Sequence, residues 1–415
     1  MTDSRAKRLT NFTRAIFRAS MERPMLRACL RMLYGVLRLL VPTNPKQIGF
    51  TSGPDLADNS LALFEKLVKS PRAHEYRLVW LVANALTSEN VLYREFPNAY
   101  LGNVSVVTNL SLRGMWSYLR CRYVFVTHGV YLYGRSWHRQ TIVNLWHGMP
   151  IKAIMAYDGR RKSSLCLMHY SIATSEYFAG LMGKAFYLPR DRILVTGLPR
   201  NEWLFVQEER YLAVKEGRAK LVAWLPTFRS SYIGEIREDS SANSLDPLSA
   251  DTLAKLDRML EGVGAMLVIK LHLMDSKNQQ AWPSYRNIRI YTDPRFRAEG
   301  LNLYKLLACS DALVTDYSSC SIDYLLLNKP IGLFAPDMAS YVRGFMPDVL
   351  KKVTAVCHQL RSVEEFGAFV RNLPPEHKTT PEQEVLLQMD LRSPSEAILR
   401  AVGLANIGST AQIGE

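Results

Sequence analysis

The chain has 415 residues, 48% of them hydrophobic and 22% charged, with a formal net charge of +14 at pH 7. That composition speaks against a disordered chain, and the length suits two domains plus added segments rather than one core. The basic excess calls for an anionic partner, whether nucleic acid, phosphorylated substrate or membrane surface. Six scattered cysteines without a CxxC pair speak for reduced thiols in a cytosolic setting and against a zinc site.

Residues 1–42 hold nine Arg or Lys against Asp3 and Glu22, which is half of the chain's excess charge. From Met25 to Val41 the sequence is apolar but interrupted by Arg27, Arg31 and Arg38. At 100° per residue these three and Tyr34 share one narrow helical stripe, with Leu, Met and Val over the rest. Three arginines in line disfavour a transmembrane span, each costing about 2.5–3.5 kcal/mol on insertion. No A-x-A cleavage site follows, which disfavours a signal peptide. The expectation is a basic amphipathic helix in the headgroup layer of an anionic membrane. The alternatives are a helix docked on the protein's own core with its arginines outward, and an RNA-binding arm.

Beyond Pro42, strand and helix signals alternate. QIGFTSG, RLVWLVAN, VSVVTN, YVFVTHG, TIVNLWHG, HYSIATS and ILVTGLP read as strands, with helices at Leu61–Lys69, Leu112–Arg120 and Glu176–Ala185. A charged helical stretch, QEERYLAVKEGR, connects to a second set. There LVAWLPTF, AMLVIKLH, IRIYTD, ALVTDYSS and PIGLFAPD read as strands, with helices at Leu253–Glu261, Leu303–Leu307 and Ser321–Leu327. The alternation implies βαβ units and parallel sheets. Ser230–Ala250 is long and polar, fitting a lid or a variable insertion.

Several strand ends carry chemistry. NLWHGMPIK ends a buried strand in a turn that presents His147 at the sheet's C-terminal edge, where open α/β sheets place ligands. An imidazole titrates near neutrality, and Gly148 allows close approach to the backbone. Alone, His-Gly after a strand is more often a polar strand terminus. In the second half, Arg229 follows LPTF, His272 ends KLH, and Ser318 or Ser319 suits the N-cap of a helix. Backbone amides at such a terminus attract phosphate, and Arg229 suits bidentate binding of the same group. Each of these alone is equally well a cap, an ion pair or a hydrogen-bonded strand end. No DxD at a strand end, Walker A or GxGxxG occurs, which argues against kinases, dehydrogenases and metal-dependent sugar transferases.

Taken together, WHGMPIK, GLPRN, LPTFR, KLH and TDYSS…DYLLLNKPI, in this order, resemble the CDP-glycerol glycerophosphotransferase family, which includes teichoic-acid primases and polymerases and related capsule polymerases. The resemblance covers roughly residues 46–345. It implies an α/β, GT-B-like fold: two Rossmann-like domains with a cleft between them, plus the N-terminal basic amphipathic segment. The expected parts are 1–42 (membrane association), 43–205 (acceptor side), 206–402 (nucleotide-diphosphate side) and a loose tail, 403–415. Carried over residue by residue, it makes His147 and His272 catalytic. It makes Gly148, Lys152, Arg200, Asn201, Arg229, Lys270, Asp316, Ser318 and Ser319 substrate-binding. Asp58-Asn59 matches the family's N-terminal loop more weakly. The chain departs from the pattern at Met149, where the family has Thr, and at Leu273, where it has Pro.

The resemblance implies phosphotransfer from CDP-glycerol, or a CDP-alditol such as CDP-ribitol, to a lipid-linked acceptor, with release of CMP. No metal, other cofactor or nucleic acid is expected. The expected location is peripheral, on the cytoplasmic face of the membrane. The rival expectations are a GT-B glycosyltransferase using a nucleotide sugar, and a non-catalytic membrane scaffold on a transferase fold.

Overall fold

The computed structural model describes residues 24–405 apart from 98–100, 110, 129–138, 160–167, 228–246, 276, 278–279, 337–343, 375–378 and 389–392. The chain divides into two compact units. One comprises Met1–His147, Gly159–Arg200 and Leu391–Glu415; the other comprises Gly148–Asp158 and Asn201–Asp390.

The first unit contains β1 (Asn44–Thr51), β2 (Arg77–Val82), β3 (Val104–Thr108), β4 (Cys121–Val126), β5 (Thr141–Asn144), β6 (Tyr170–Ala173) and β7 (Ile193–Val195). They form one sheet in the order β3-β2-β1-β4-β5-β6-β7, parallel throughout. Its strands are near-continuous apolar runs, as a sheet covered on both faces requires; β2 buries all but its first residue. Phe50, Phe64, Trp80 and Phe125 pack with ring centroids 5.4–5.8 Å apart and fill its centre.

The second unit contains β8 (Lys220–Leu225), β9 (Ala265–Lys270), β10 (Ile288–Tyr291), β11 (Ala312–Thr315), β12 (Ile331–Phe334) and β13 (His358–Leu360). The order β10-β9-β8-β11-β12-β13 is again parallel. Trp224, Phe334 and Phe366 make its aromatic core. In each sheet the winding reverses once, between β1 and β4 and between β8 and β11. A doubly wound sheet opens a ligand crevice beyond the strand ends at such a point.

Two features were not legible in the sequence. Helix Pro394–Ala401 follows the second sheet in the chain but belongs to the first unit, where Glu396 pairs with Lys66 at 2.6 Å. The N-terminal segment does form a helix, Pro24–Leu40, yet at Arg38 the arginine stripe faces the protein, not headgroups or solvent. Arg38 is only 4% exposed. It donates to Leu119 O at 3.3 Å in the last turn of helix Leu112–Arg120 and to Gln140 Oε1, and it lies 5.7 Å from the Tyr118 ring centroid. A helix C-terminus is where a guanidinium gains most from the backbone dipole. The outward face is apolar instead: Met25, Met32, Leu33, Val36, Leu39 and Leu40 are exposed. The side chains of Arg27, Arg31 and Tyr34, and residues 1–23, lie outside the described part.

Candidate active site

Beyond β5 the chain makes a sharp turn around His147. Trp146 has φ +48° and Gly148 φ +118°, left-handed conformations on both sides of the histidine. For a bulky residue such as Trp146 this costs on the order of 1–3 kcal/mol and needs support. The support is a set of buried hydrogen bonds. Asn144 Oδ1 accepts from Trp146 N at 3.1 Å, and Asn59 Nδ2 donates to both Leu145 O and Trp146 O at 3.0 Å. Asn59 Oδ1 in turn accepts from Arg200 N at 3.1 Å. The Arg200 side chain, 5% exposed, donates from Nη1 to His147 O at 3.1 Å and to Asp58 Oδ1 at 2.8 Å. Asp58, Asn59 and Arg200 thus latch the histidine turn to the N-terminus of helix Asp58–Val68.

Arg200, expected at the substrate, makes its described contacts with this latch. Arg200→Lys keeps the charge but loses the planar guanidinium, one nitrogen of which serves both acceptors. It is expected to lower kcat by about 10–100-fold with donor KM little changed, because small displacements of a reacting group are costly. Steady-state kinetics on the purified variant check this. Asn201, the next residue, is buried, and its Oδ1 has no hydrogen-bond partner among the described residues.

His147 is half-buried. Its ring centroid lies 4.1 Å from that of Trp146 and 4.5 Å from that of His128, the latter pair being nearly parallel at 6°. From Gly148 onward the segment belongs to the second unit. Met149 is fully buried, so the departure from the family pattern is a packing position. Ile151 O accepts from Met346 N, Ala153 N donates to Gly344 O (both 2.8 Å), and Lys152 bridges to Phe345 in antiparallel register. The Phe345 ring lies 5.3 Å from that of Tyr317, which places the Lys152 turn beside the residue following Asp316.

At the switch point of the second sheet Asp316 is 2% exposed and collects three donors. Thr227 N reaches both its oxygens at 3.0 and 3.1 Å, Thr227 Oγ1 reaches Oδ2 at 2.9 Å, and Tyr317 N reaches Oδ1 at 2.7 Å. Asp316 therefore ties the end of β8 to the end of β11 and shapes the loop that leads to Arg229. Arg229 itself, and most of the polar insertion after it, lie outside the described residues. Asp316→Ala strands these donors and is expected to cost about 1–3 kcal/mol, the usual penalty for leaving buried donors unpaired. Thermal melting reads this out, and Asp316→Asn is expected to lose less.

Ser318 Oγ accepts from Cys320 N at 3.4 Å, and Ser318 O accepts from Ser321 N and Oγ. Ser319 is already helical and makes no side-chain cap bond; the helix it starts, Cys320–Tyr324, has five residues. At the end of β9, Lys270 Nζ pairs with Asp293 at 2.5 Å, and Asp293 also holds Arg297 at 2.7 Å. Burial pushes the Lys270 ammonium below its ordinary pKa. Burial alone would raise the Asp293 carboxyl, but Lys270 and Arg297 together hold it below the usual range. His272 is exposed, and its Nδ1 accepts from Met274 N at 3.1 Å. That bond assigns the proton of the neutral ring to Nε2, leaving an N–H donor on the ring's other edge. Among the described residues no group of three or more His, Cys, Asp or Glu is placed to hold a metal ion.

Residues 33–383 match the family described as CDP-Glycerol:Poly(glycerophosphate) glycerophosphotransferase. The chain belongs to this family. It is 24% identical over 341 residues to a teichoic acid poly(glycerol phosphate) polymerase of Bacillus spizizenii, covering 75% of this chain and 80% of that one. It is 26% identical over 372 residues to a teichoic acid glycerol-phosphate transferase of Staphylococcus aureus, covering 80% and 88%. A solved structure of the wall teichoic acid polymerase TagF shares the fold, with a TM-score of 0.69 at 20% identity over 96% of this chain and 99% of that one. The protein is thus an enzyme of the glycerophosphotransferase class.

In this glycerophosphotransferase the residues around His147 that motif reading passed over are Asn144, which braces the turn, and His128, which stacks on it. Asp58-Asn59 matched the family only weakly, yet forms half of the latch. The one available signal for His128 was the repetition of His-Gly at the ends of two consecutive strands, THG and WHG.

Proposed function

We propose that this glycerophosphotransferase transfers glycerol phosphate from CDP-glycerol to a hydroxyl of a lipid-linked acceptor in teichoic-acid-like or capsule polymer synthesis. His147 is the general base. It takes the acceptor's hydroxyl proton as that oxygen attacks the β-phosphorus, the bond from this phosphorus to the bridging oxygen breaks, and CMP leaves. His272, through its Nε2–H, and the loops shaped by Asp316 with Arg229, Ser318 and Ser319 are assigned to the donor's diphosphate. Positioned donors of this kind offset charge that develops during transfer. The observation that carries the reading is the His147 turn, whose costly backbone is maintained by the side chains of Asn59, Asn144 and Arg200.

The deciding experiment supplies CDP-glycerol, CDP-ribitol and UDP-sugars with a membrane-lipid acceptor and measures nucleotide release and product mass. Release of CMP with one added glycerol-phosphate mass per transfer supports the reading. Sugar transfer from a UDP donor would establish a glycosyltransferase, and inertness toward every donor would establish a scaffold. Protein cations supply the countercharge in this scheme, so activity in EDTA is expected to stay within about twofold of that in buffer alone, a range in which no transition-state contact is lost.

We also assign helix Pro24–Leu40 to the membrane surface. Its outward face is apolar, the chain carries a net charge of +14, and no described helix is long and apolar enough to cross a membrane. A helix in the interface plane combines apolar burial with attraction to anionic lipid.

A further inference from the structure

β4 and β5 pair in parallel with Val126 opposite Asn144, so the residues just beyond both strand ends come side by side. These are His128 and His147, with nearly parallel rings at 4.5 Å. His128 is an exposed residue, but its ring is packed where it meets the protein. Besides His147, the turn after β1 closes on it so tightly that a Cβ at Gly53 would come within 3.2 Å of its Cγ and Nδ1. Thr127 Oγ1 lies 3.2 Å from the same Nδ1. The latch through Asn59 and Arg200 fixes the backbone of the His147 turn but leaves its side-chain torsions to be set by what the ring touches. Trp146, tilted by 32°, and His128 are two of those contacts.

We propose that His128 is a positioning residue for His147, stacking as a neutral ring that fixes the orientation of the base and shelters the imidazolium it becomes on taking a proton. The inference rests on the assignment of His147 as base. Charge bearing on His128 among the described residues comes from Asp58, whose carboxylate is shared with Arg200, and from His147 itself. Burial lowers the His128 pKa from its ordinary value of 6.5, while Asp58 acts to raise it. The net shift is downward, which favours the neutral ring. A neutral aromatic face favours a cation stacked against it. A second imidazolium at that distance would repel it, which couples the two titrations.

The test uses the full-length enzyme with CDP-glycerol and lipid acceptor. His128→Ala is expected to lower kcat about tenfold or more, with KM for CDP-glycerol within about twofold of wild type. His128→Phe, which keeps a flat ring without a titrating group, is expected to recover most of that loss. The second readout is NMR of histidine-labelled protein. In wild type the His147 signal should titrate in two steps, and in His128→Phe in one. Wild-type kcat in His128→Ala, or identical His147 titrations in wild type and His128→Phe, would overturn the inference. If His128→Ala proves unfolded by thermal melting, the phenylalanine variant and the titrations decide. An active His147→Ala enzyme would instead bring down the base assignment and this inference with it. An inactive His147→Ala beside an unaffected His128→Ala brings down the inference alone.

Discussion

Replacement of His147 by alanine is expected to reduce CMP release from CDP-glycerol by about 10²–10⁴-fold, the usual contribution of a positioned general base. That corresponds to about 3–5 kcal/mol of transition-state stabilisation. CDP affinity should be nearly unchanged, because the groups assigned to the diphosphate belong to the other unit. The separation matters for interpretation: a uniform loss of binding would raise KM, whereas loss of a group that acts only in the transition state lowers kcat and kcat/KM together. The turn itself should survive the substitution, since the bonds from Asn59, Asn144 and Arg200 all go to backbone atoms of residues 145–147. Folding can be verified by melting, and CDP binding by calorimetry. Turnover within tenfold of wild type, with CDP affinity intact, would remove His147 from the chemistry.

The second large effect is expected at the membrane. Leu33, Leu39 and Leu40 replaced together by glutamate should shift the enzyme from vesicle-bound to free by about 10³-fold or more. Each leucine side chain contributes about 1.5–3 kcal/mol when fully buried, and partial burial in the interface retains a share of this. Leu33, Leu39 and Leu40 are 55%, 66% and 72% exposed, so these changes disturb little packing in the folded chain. Helix Leu112–Arg120, which receives Arg38, also exposes Leu112 and Trp116 and adds to the same class of surface. Sedimentation with anionic and with neutral vesicles measures the shift. Cys29 is exposed on the helix and can carry an environment-sensitive dye, whereas burial pushes the Cys121 thiol up to about 12 and keeps it unreactive. Equal vesicle binding by the triple variant and the wild type would refute the assignment.

The His147 turn shows how far the sequence could be read. TIVNLW followed by His-Gly announced a buried strand with a histidine at its edge, and β5 stops at Asn144, just short of that histidine. The alternation of strands and helices, and so the two parallel sheets, followed from periodicity, a local property. Asn59 and Arg200 are 141 residues apart, however, and nothing local links them. Met149, where the chain departs from the family pattern, is a core residue. Lys270 read as a substrate-binding residue, and its ammonium pairs with Asp293. Asp316 read the same way and is occupied by Thr227 and Tyr317. A buried side chain is claimed by whatever sheet order brings near it, so residue type alone could not name these partners.

The same division applies at the N-terminus. Helical spacing placed Arg27, Arg31 and Arg38 on one stripe and the apolar residues around the rest, as the sequence alone required. Which face turns inward was decided by helix Leu112–Arg120 and Gln140, whose carbonyl oxygens offer the Arg38 guanidinium better partners than the apolar side chains could. By itself the sequence determined two α/β units with parallel sheets, an amphipathic N-terminal helix and a set of polar groups at strand ends. Only the tertiary structure decided which of those groups brace the His147 turn, which stack on it, and which face of the helix meets the surroundings. Those outcomes depend on the order of strands in the sheet, an order set by contacts between residues far apart in the chain.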